Sequence, residues 1–272
     1  LNIIKQKPKD AVKDFLNQYS ESFDIDIEKA EDLIKSAILY YNGKERVLPK
    51  YQAKLESNWY SALKKYKINY SVYSDKYYFT DLWACWIIYS RQYIRSIITP
   101  NSLCKNKTIF DELKNIKSVL DIGCGIGYTT TALTEIFSNS KVYGLNLKDT
   151  EQYIFDEIMA KKFGFTMVSD ITEIKHSIDL FVAFEYFEHI QDPINHLENI
   201  VKTISPKYFY IASSFNTRSV GHFKDYKYLD LFCPQSKISR IFNNTLRSLG
   251  YKKIKTKLWN NKPSLWKLEE KD

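Results

Sequence analysis

Cysteine is scarce in this chain and poorly placed for metal or redox work. The four thiols, Cys85, Cys104, Cys124 and Cys233, lie far apart with no C-x-x-C pair, which excludes zinc-finger and dithiol spacings. Reduced thiols in a cytoplasmic setting are expected. No apolar run approaches the length of about 18 residues that a membrane span needs. The opening Leu1, Asn2, Ile3 and Ile4, followed by lysine-rich sequence, is too short for a secretory leader. A block of like charge is missing too, because the net charge of +8 comes from lysines scattered through every segment. That balance favours an acidic partner such as nucleic acid no more than it favours solvated lysine-rich faces.

What is present is one concentration of glycine. Ile116, Val119 and Leu120 build a short buried strand that stops at Asp121, and Gly123, Gly125 and Gly127 then lead into a helical pattern from 129 to 137. A strand, a glycine turn and a helix N-terminus let a ligand approach the backbone and meet unpaired amides. The turn contains no G-K-[ST], which excludes a P-loop, and its G-x-G-x-G spacing disfavours a dinucleotide fold.

Around this turn the pattern alternates. Strands are expected at 117–121, 141–145, 165–168, 178–184 and 208–212, with helices at 110–115, 129–137, 150–163 and 194–203 between them. Such alternation implies right-handed crossovers and a parallel, doubly wound α/β sheet. A helix at 238–249 stops at Gly250, and strand-like runs at 252–258 and 264–268 flank the turn 260–263, predicting a terminal hairpin. Upstream lie helices within 1–20, at 26–41 and between 80 and 98, and an aromatic-rich region from 51 to 99. Its rings are expected to serve mostly as core, with a stacking surface for bases or aromatic substrates as the alternative. The boundary falls near the Thr99-Pro100-Asn101-Ser102 stop, giving a helical cap over 1–105 and an α/β domain over 106–272.

The run Asp-Ile-Gly-Cys-Gly-Ile-Gly at 121–127 closely resembles the first motif of class I S-adenosylmethionine-dependent methyltransferases, and the resemblance covers roughly 105 to 260. It implies a seven-stranded Rossmann-like sheet whose last strand is antiparallel, with S-adenosylmethionine bound beyond the strand ends. By this resemblance Asp121, Gly123, Cys124, Gly125, Gly127 and Tyr128 surround the methionine end of the cofactor. Asp170, with Ile171, matches the acidic position that reaches the adenine amino group. Asn146, with Leu147, stands where the family usually places a ribose-binding Asp or Glu, so the charge-assisted bond is forgone. Asp149 is a less well placed substitute. The N-terminal cap is the part expected to choose the substrate.

A second constellation follows the fourth strand. Glu185, Glu188 and His189 fall at i, i+3 and i+4, which on a helical turn would share one face. His189 beside two carboxylates could act as general base, and Glu185 and Glu188 complete the candidate catalytic set. Alternatively Glu185, Glu188, His189 and the later His222 could bind a divalent metal that orients a hydroxyl acceptor. This E-x-x-E-H run is similar both to small-RNA 2'-O-methyltransferases, where such residues hold a metal, and to ubiquinone-biosynthesis-like methyltransferases, where often none is assigned. The chain lacks the Pro-Pro-aromatic tetrapeptide of enzymes that methylate exocyclic base amines and the Pro-Cys of cytosine carbon-5 enzymes. The expected function is methyl transfer to a hydroxyl or amine of a small-molecule or nucleic-acid acceptor. The alternative is a catalytically silent module of the same fold that holds nucleic acid or a partner enzyme.

Overall fold

The computed structural model describes residues 2–65, 67–103, 106–258 and 262–269. Four helices open it: α1 (Asn2–Lys5), α2 (Pro8–Phe23), α3 (Ile27–Tyr41) and α4 (Lys50–Leu63). Helix α2 starts with proline at its first turn and buries Ala11, Phe15, Leu16 and Tyr19, the spacing of one helical face. The Asp26 side chain caps α3 by accepting from the Lys29 amide at 3.0 Å. The helix expected between 80 and 98 is present but interrupted: α5 (Tyr78–Cys85) passes through a π-helical turn, Trp86–Ser90, into α6 (Arg91–Ile98). Helix α7 (Ile109–Leu113) follows, closed at its start by a Thr108–Asp111 capping box.

The sheet domain then runs β1 (Ser118–Ile122), α8 (Tyr128–Ile136), β2 (Lys141–Leu145), α9 (Glu151–Phe163), β3 (Thr166–Val168), β4 (Leu180–Phe184), α10 (Pro193–Ile204) and β5 (Tyr208–Ala212). After it come the hairpin β6 (Asp225–Tyr228) and β7 (Leu231–Pro234), helix α11 (Gln235–Ser248), β8 (Tyr251–Ile254) and β9 (Ser264–Leu268). The main sheet has seven strands in the order β3-β2-β1-β4-β5-β9-β8. Strands β1 to β5 are parallel, and β9 runs antiparallel to both β5 and β8. This is the expected doubly wound, Rossmann-like sheet with its antiparallel end. Every residue of β1, β4 and β5 is buried, as two-sided coverage by helices requires.

Some expectations need correction. Helix α4 and the β6–β7 hairpin were not foreseen, and β8 ends at Ile254 instead of continuing to 258. Asn260 and Asn261 of the expected turn, and residues 104 and 105 at the expected boundary, lie outside the described residues. Cys85, Cys124 and Cys233 are free thiols, while Cys104 is also outside them. Among the described residues no helix is long and apolar enough to cross a membrane.

The N-terminal helices and the sheet domain share one core. Phe15 of α2 stacks on Trp83 of α5 at 4.8 Å between ring centroids and meets Tyr128 of α8 and Phe155 of α9 edge-on at 6.2 and 5.8 Å. The helices α5 and α6 thereby lie over the C-terminal ends of β1 and β4, where an open α/β sheet binds its ligands.

Candidate active site

The turn after β1 is built as its glycines suggest. Gly123, Gly125 and Gly127 all have positive φ, at 65°, 67° and 70°, a conformation costly for other residues. The Gly123 and Cys124 amides donate to the Leu145 carbonyl at 2.8 and 3.2 Å, tying the turn to the end of β2. The three glycines then part in role. Gly123 and Gly125 line a cavity of about 710 Å3 together with Asp121, Cys124 and Tyr128. Gly127 faces the other way: a Cβ there would press on Asp156 Oδ1 at 3.0 Å and Met159 at 3.2 Å, so its glycine serves the packing of α9.

Asp121 is the charged group of this turn. It is 2% exposed, accepts a hydrogen bond from Thr130 Oγ1 at 2.7 Å, and is pushed up to about 7 by loss of solvent, against which the Thr130 bond works. No salt bridge reaches it among the described residues. A carboxylate in that state gains from a ligand ammonium that supplies the missing positive charge.

The opposite wall comes from the end of β4. Glu185 holds φ at 49°, an unusual value for a side-chain-bearing residue, and its amide donates to Ala212 O at 2.7 Å. Its Oε1 accepts from Tyr93 of α6 at 3.2 Å, and burial together with the neighbouring Glu188 raises it to about 8. Glu188 is fully buried beneath the cavity, where Oε1 accepts the Ser214 amide at 2.8 Å. His189 turns away from both: Nδ1 lies 2.8 Å from Tyr73 Oη, and its ring meets that of His222 edge-on at 4.7 Å. Burial and His222 hold the His189 imidazole well below its ordinary pKa, so it is neutral at physiological pH.

The shared face expected for Glu185, Glu188 and His189 is therefore not formed. Residues Phe187–His189 make a single 3-10 turn, and Glu185 precedes it in the left-handed region, so the Glu185 and Glu188 carboxyls stay side by side while the His189 ring turns to Tyr73. The metal set fails for the same reason. Glu188 is engaged with Ser214, His189 with Tyr73, and His222 Nδ1 lies 2.7 Å from the Thr217 carbonyl oxygen. Among the described residues no group of three or more His, Cys, Asp and Glu side chains is placed to hold a metal ion.

The residues expected at the ribose and adenine are not among those that line the cavity. Asn146 is buried with Nδ2 donating to Gly125 O at 3.1 Å and Asp156 Oδ2 at 2.9 Å, while Oδ1 accepts the Leu147 amide at 2.9 Å. Leu147 is 48% exposed. Asp170 is exposed and caps the short turn Ile171–Glu173, accepting from the Thr172 amide at 2.7 Å. Ile171 packs on the core, and Asp149 is exposed. Two tyrosines pack against the turn and α9. The Tyr186 ring covers Gly123 so closely that a Cβ there would overlap it, and Tyr73 O accepts from Gln152 of α9 at 2.8 Å.

Tyr73, Asp81, Ser214 and Lys262 carry no sequence signal that marks them as site residues, and Tyr93 reads as one of the aromatic core. All but Tyr73 line the cavity, and none belongs to a motif. Only the aromatic richness of 51–99 signalled that the helices over the strand ends could contribute rings.

No curated protein matches the chain. Solved structures with similar folds include an S-adenosylmethionine-dependent methyltransferase from Aquifex aeolicus, at 16% identity over 58% of this chain and 84% of that one with a TM-score of 0.39. Another, from Clostridium acetobutylicum ATCC 824, has 15% identity over 60% of this chain and 89% of that one with a TM-score of 0.41. The small RNA methyltransferase HEN1 has 13% identity over 60% of this chain and 24% of that one with a TM-score of 0.42. The family described as a methyltransferase domain matches residues 92–252, a span that runs from α6 through the glycine turn and the β4 wall to β8. With more than half of its length matched, and with the strand order already described, this chain belongs to the methyltransferase domain family.

Proposed function

We propose that this protein uses S-adenosylmethionine to methylate a hydroxyl or amine, with residues 106–272 carrying the cofactor side and residues 1–105 choosing the acceptor. The observation that carries the reading is that one cavity is lined by Asp121, Gly123 and Gly125 from the glycine turn and by Glu185, Tyr93 and His189 from elsewhere in the chain. The residues present fit the amino-acid end of the cofactor. Asp121 offers a buried carboxylate short of a cation, and Gly123 and Gly125 leave the turn without side chains. The cofactor would supply an already activated methyl group, so the chain's own task is placement and removal of one proton.

Two groups can take that proton. His189 is neutral and retains a lone pair, and its Nδ1 is engaged with Tyr73 Oη. Glu185, at about 8, becomes an acceptor as it ionises. Glu188 acts through others, holding the Ser214 amide behind the wall.

A second reading, a silent binding module, is favoured by one observation: Asn146 and Asp170 spend their polar atoms on neighbouring groups of the chain. Methyl-tritiated S-adenosylmethionine incubated with the protein and a fractionated cell extract separates the two. Label entering one fraction establishes transfer and its acceptor class, and chelator is expected to leave it unchanged. Cofactor binding without label in any fraction would instead support the silent module.

A further inference from the structure

The sign of the cavity opposes the sign of the protein. The chain carries a net charge of +8, yet three carboxylates, Asp81, Asp121 and Glu185, line the cavity. Lys262 is the one Lys or Arg among its described lining residues, and its Nζ donates to Ser214 Oγ at 3.3 Å. His189 and His222 also face it, and burial keeps both below the ordinary imidazole pKa. A phosphate-rich acceptor meets repulsion inside such a space. Its volume, about 710 Å3, falls in the range of roughly 300–1,000 Å3 typical of small-molecule sites.

Asp81 is the carboxylate that neither the glycine turn nor the β4 wall explains. It sits on α5, 5% exposed, on the side of the cavity formed by the N-terminal helices. Tyr41 Oη donates to its Oδ1 at 2.8 Å, and Gln52 Nε2 donates to the same atom. Its Oδ2 accepts no hydrogen bond, and no cation pairs with either oxygen, among the described residues. Burial raises it to about 6, the mark of a carboxylate kept from water without a countercharge. Tyr41 bonds to it, Tyr78 and Tyr89 feel its charge, and Trp86 and Tyr93 add their rings to the same cavity. The Tyr89 phenol is raised to about 12, first by burial and then by Cys85, Glu185 and Asp81, so this ring lies within the field of both carboxylates. A carboxylate among aromatic faces recognises an organic ammonium by charge and by cation–π attraction, the latter worth about 0.5–2 kcal/mol.

We infer that the methyl acceptor is a small organic amine, held as its ammonium by Asp81 and the surrounding rings and turned toward Glu185. For the fate of the amine this inference rests on the methyltransferase reading; the binding preference stands without it. In the transfer the ammonium first gives one proton to the ionised Glu185 carboxylate. The freed nitrogen lone pair then forms the new N–C bond as the C–S bond breaks, and that electron pair stays on sulfur, which loses its positive charge. The product leaves as an N-methylammonium, and Glu185 returns its proton to water.

The test compares three probes of one shape: tyramine, its alcohol analogue tyrosol, and 4-hydroxyphenylacetate. Calorimetric titration of the full chain should show tyramine binding at least tenfold more tightly than tyrosol, with the carboxylate weakest. Asp81→Asn keeps the Oδ1 acceptor for Tyr41 and Gln52 and should reduce that preference below about threefold, while S-adenosylhomocysteine still binds. Equal binding of tyramine and tyrosol to the wild type overturns the inference, and so does an undiminished preference in Asp81→Asn. Should that variant fail to fold, the wild-type comparison decides alone. Cofactor binding without amine preference sinks the amine site only; amine preference without cofactor binding sinks the methyltransferase reading only.

Discussion

At the scale of single residues, Asp121 carries a stability cost that its proposed role explains. Its pKa rises from the ordinary carboxylate range to about 7 on folding, so the folded chain binds its proton more tightly than the unfolded chain does. Stability is therefore lost as pH climbs toward 7 and is flat above it. Asp121→Asn keeps an oxygen for Thr130 and removes the buried charge. Its stability gain over wild type should be about 3 kcal/mol larger at pH 8 than at pH 5, measured by chemical denaturation at both values. A gain that is the same at both values would show that Asp121 is not desolvated as described. Glu185, at about 8, gives a complementary expectation. If it takes the proton, kcat rises with pH through about 8, and Glu185→Gln lowers kcat by roughly 10²-fold or more and flattens that limb. A pH profile unaltered by the substitution would remove Glu185 from the proton path. Asp121 and Glu185 were legible in the sequence because they stand at the C-terminal ends of apolar strands, Asp121 one residue before the end of β1 and Glu185 just after β4. Asp81 and Tyr93 were not, because they reach the site from helices far upstream in the chain, as the 92-residue separation of the Tyr93–Glu185 contact shows.

At the scale of elements, the turn after β4 decides what the E-x-x-E-H run can do. Its 3-10 geometry delivers His189 to Tyr73 and Gly221 instead of to the two glutamates. Gly221 has φ at 82°, and a Cβ there would overlap both Tyr73 Oη and His189 Nδ1. Gly221→Ala should cost about 2–4 kcal/mol by denaturant unfolding and displace His189. A cost below about 0.5 kcal/mol would mean that this junction is looser than described. The sequence pattern fails here because spacing at i, i+3 and i+4 implies a shared face only on an α-helix. Elsewhere it succeeds: β2, β5 and β9 occupy the expected ranges, each with a buried apolar or aromatic centre in the sheet. It misses β6–β7 because that hairpin buries chiefly Tyr226 and Cys233 and exposes Leu229, Leu231 and Phe232, reversing the usual signal. Helix α4 was hidden by its polar composition, although Leu55, Trp59 and Tyr60 are buried.

At the scale of the whole molecule, the side chains of residues 1–105 pack against those of 106–272. Phe15, Trp83, Tyr128 and Phe155 join the first helices to α8 and α9 in one aromatic cluster. Calorimetric unfolding should accordingly show one cooperative transition, whereas two resolved transitions would identify independent domains. The most direct test of the central claim is a calorimetric titration of S-adenosylmethionine into the full chain and into Asp121→Asn. The account predicts saturable binding at one site in the wild type and at least tenfold weaker binding in the variant. No saturable binding to the folded wild-type chain, or equal affinity in both, would contradict it.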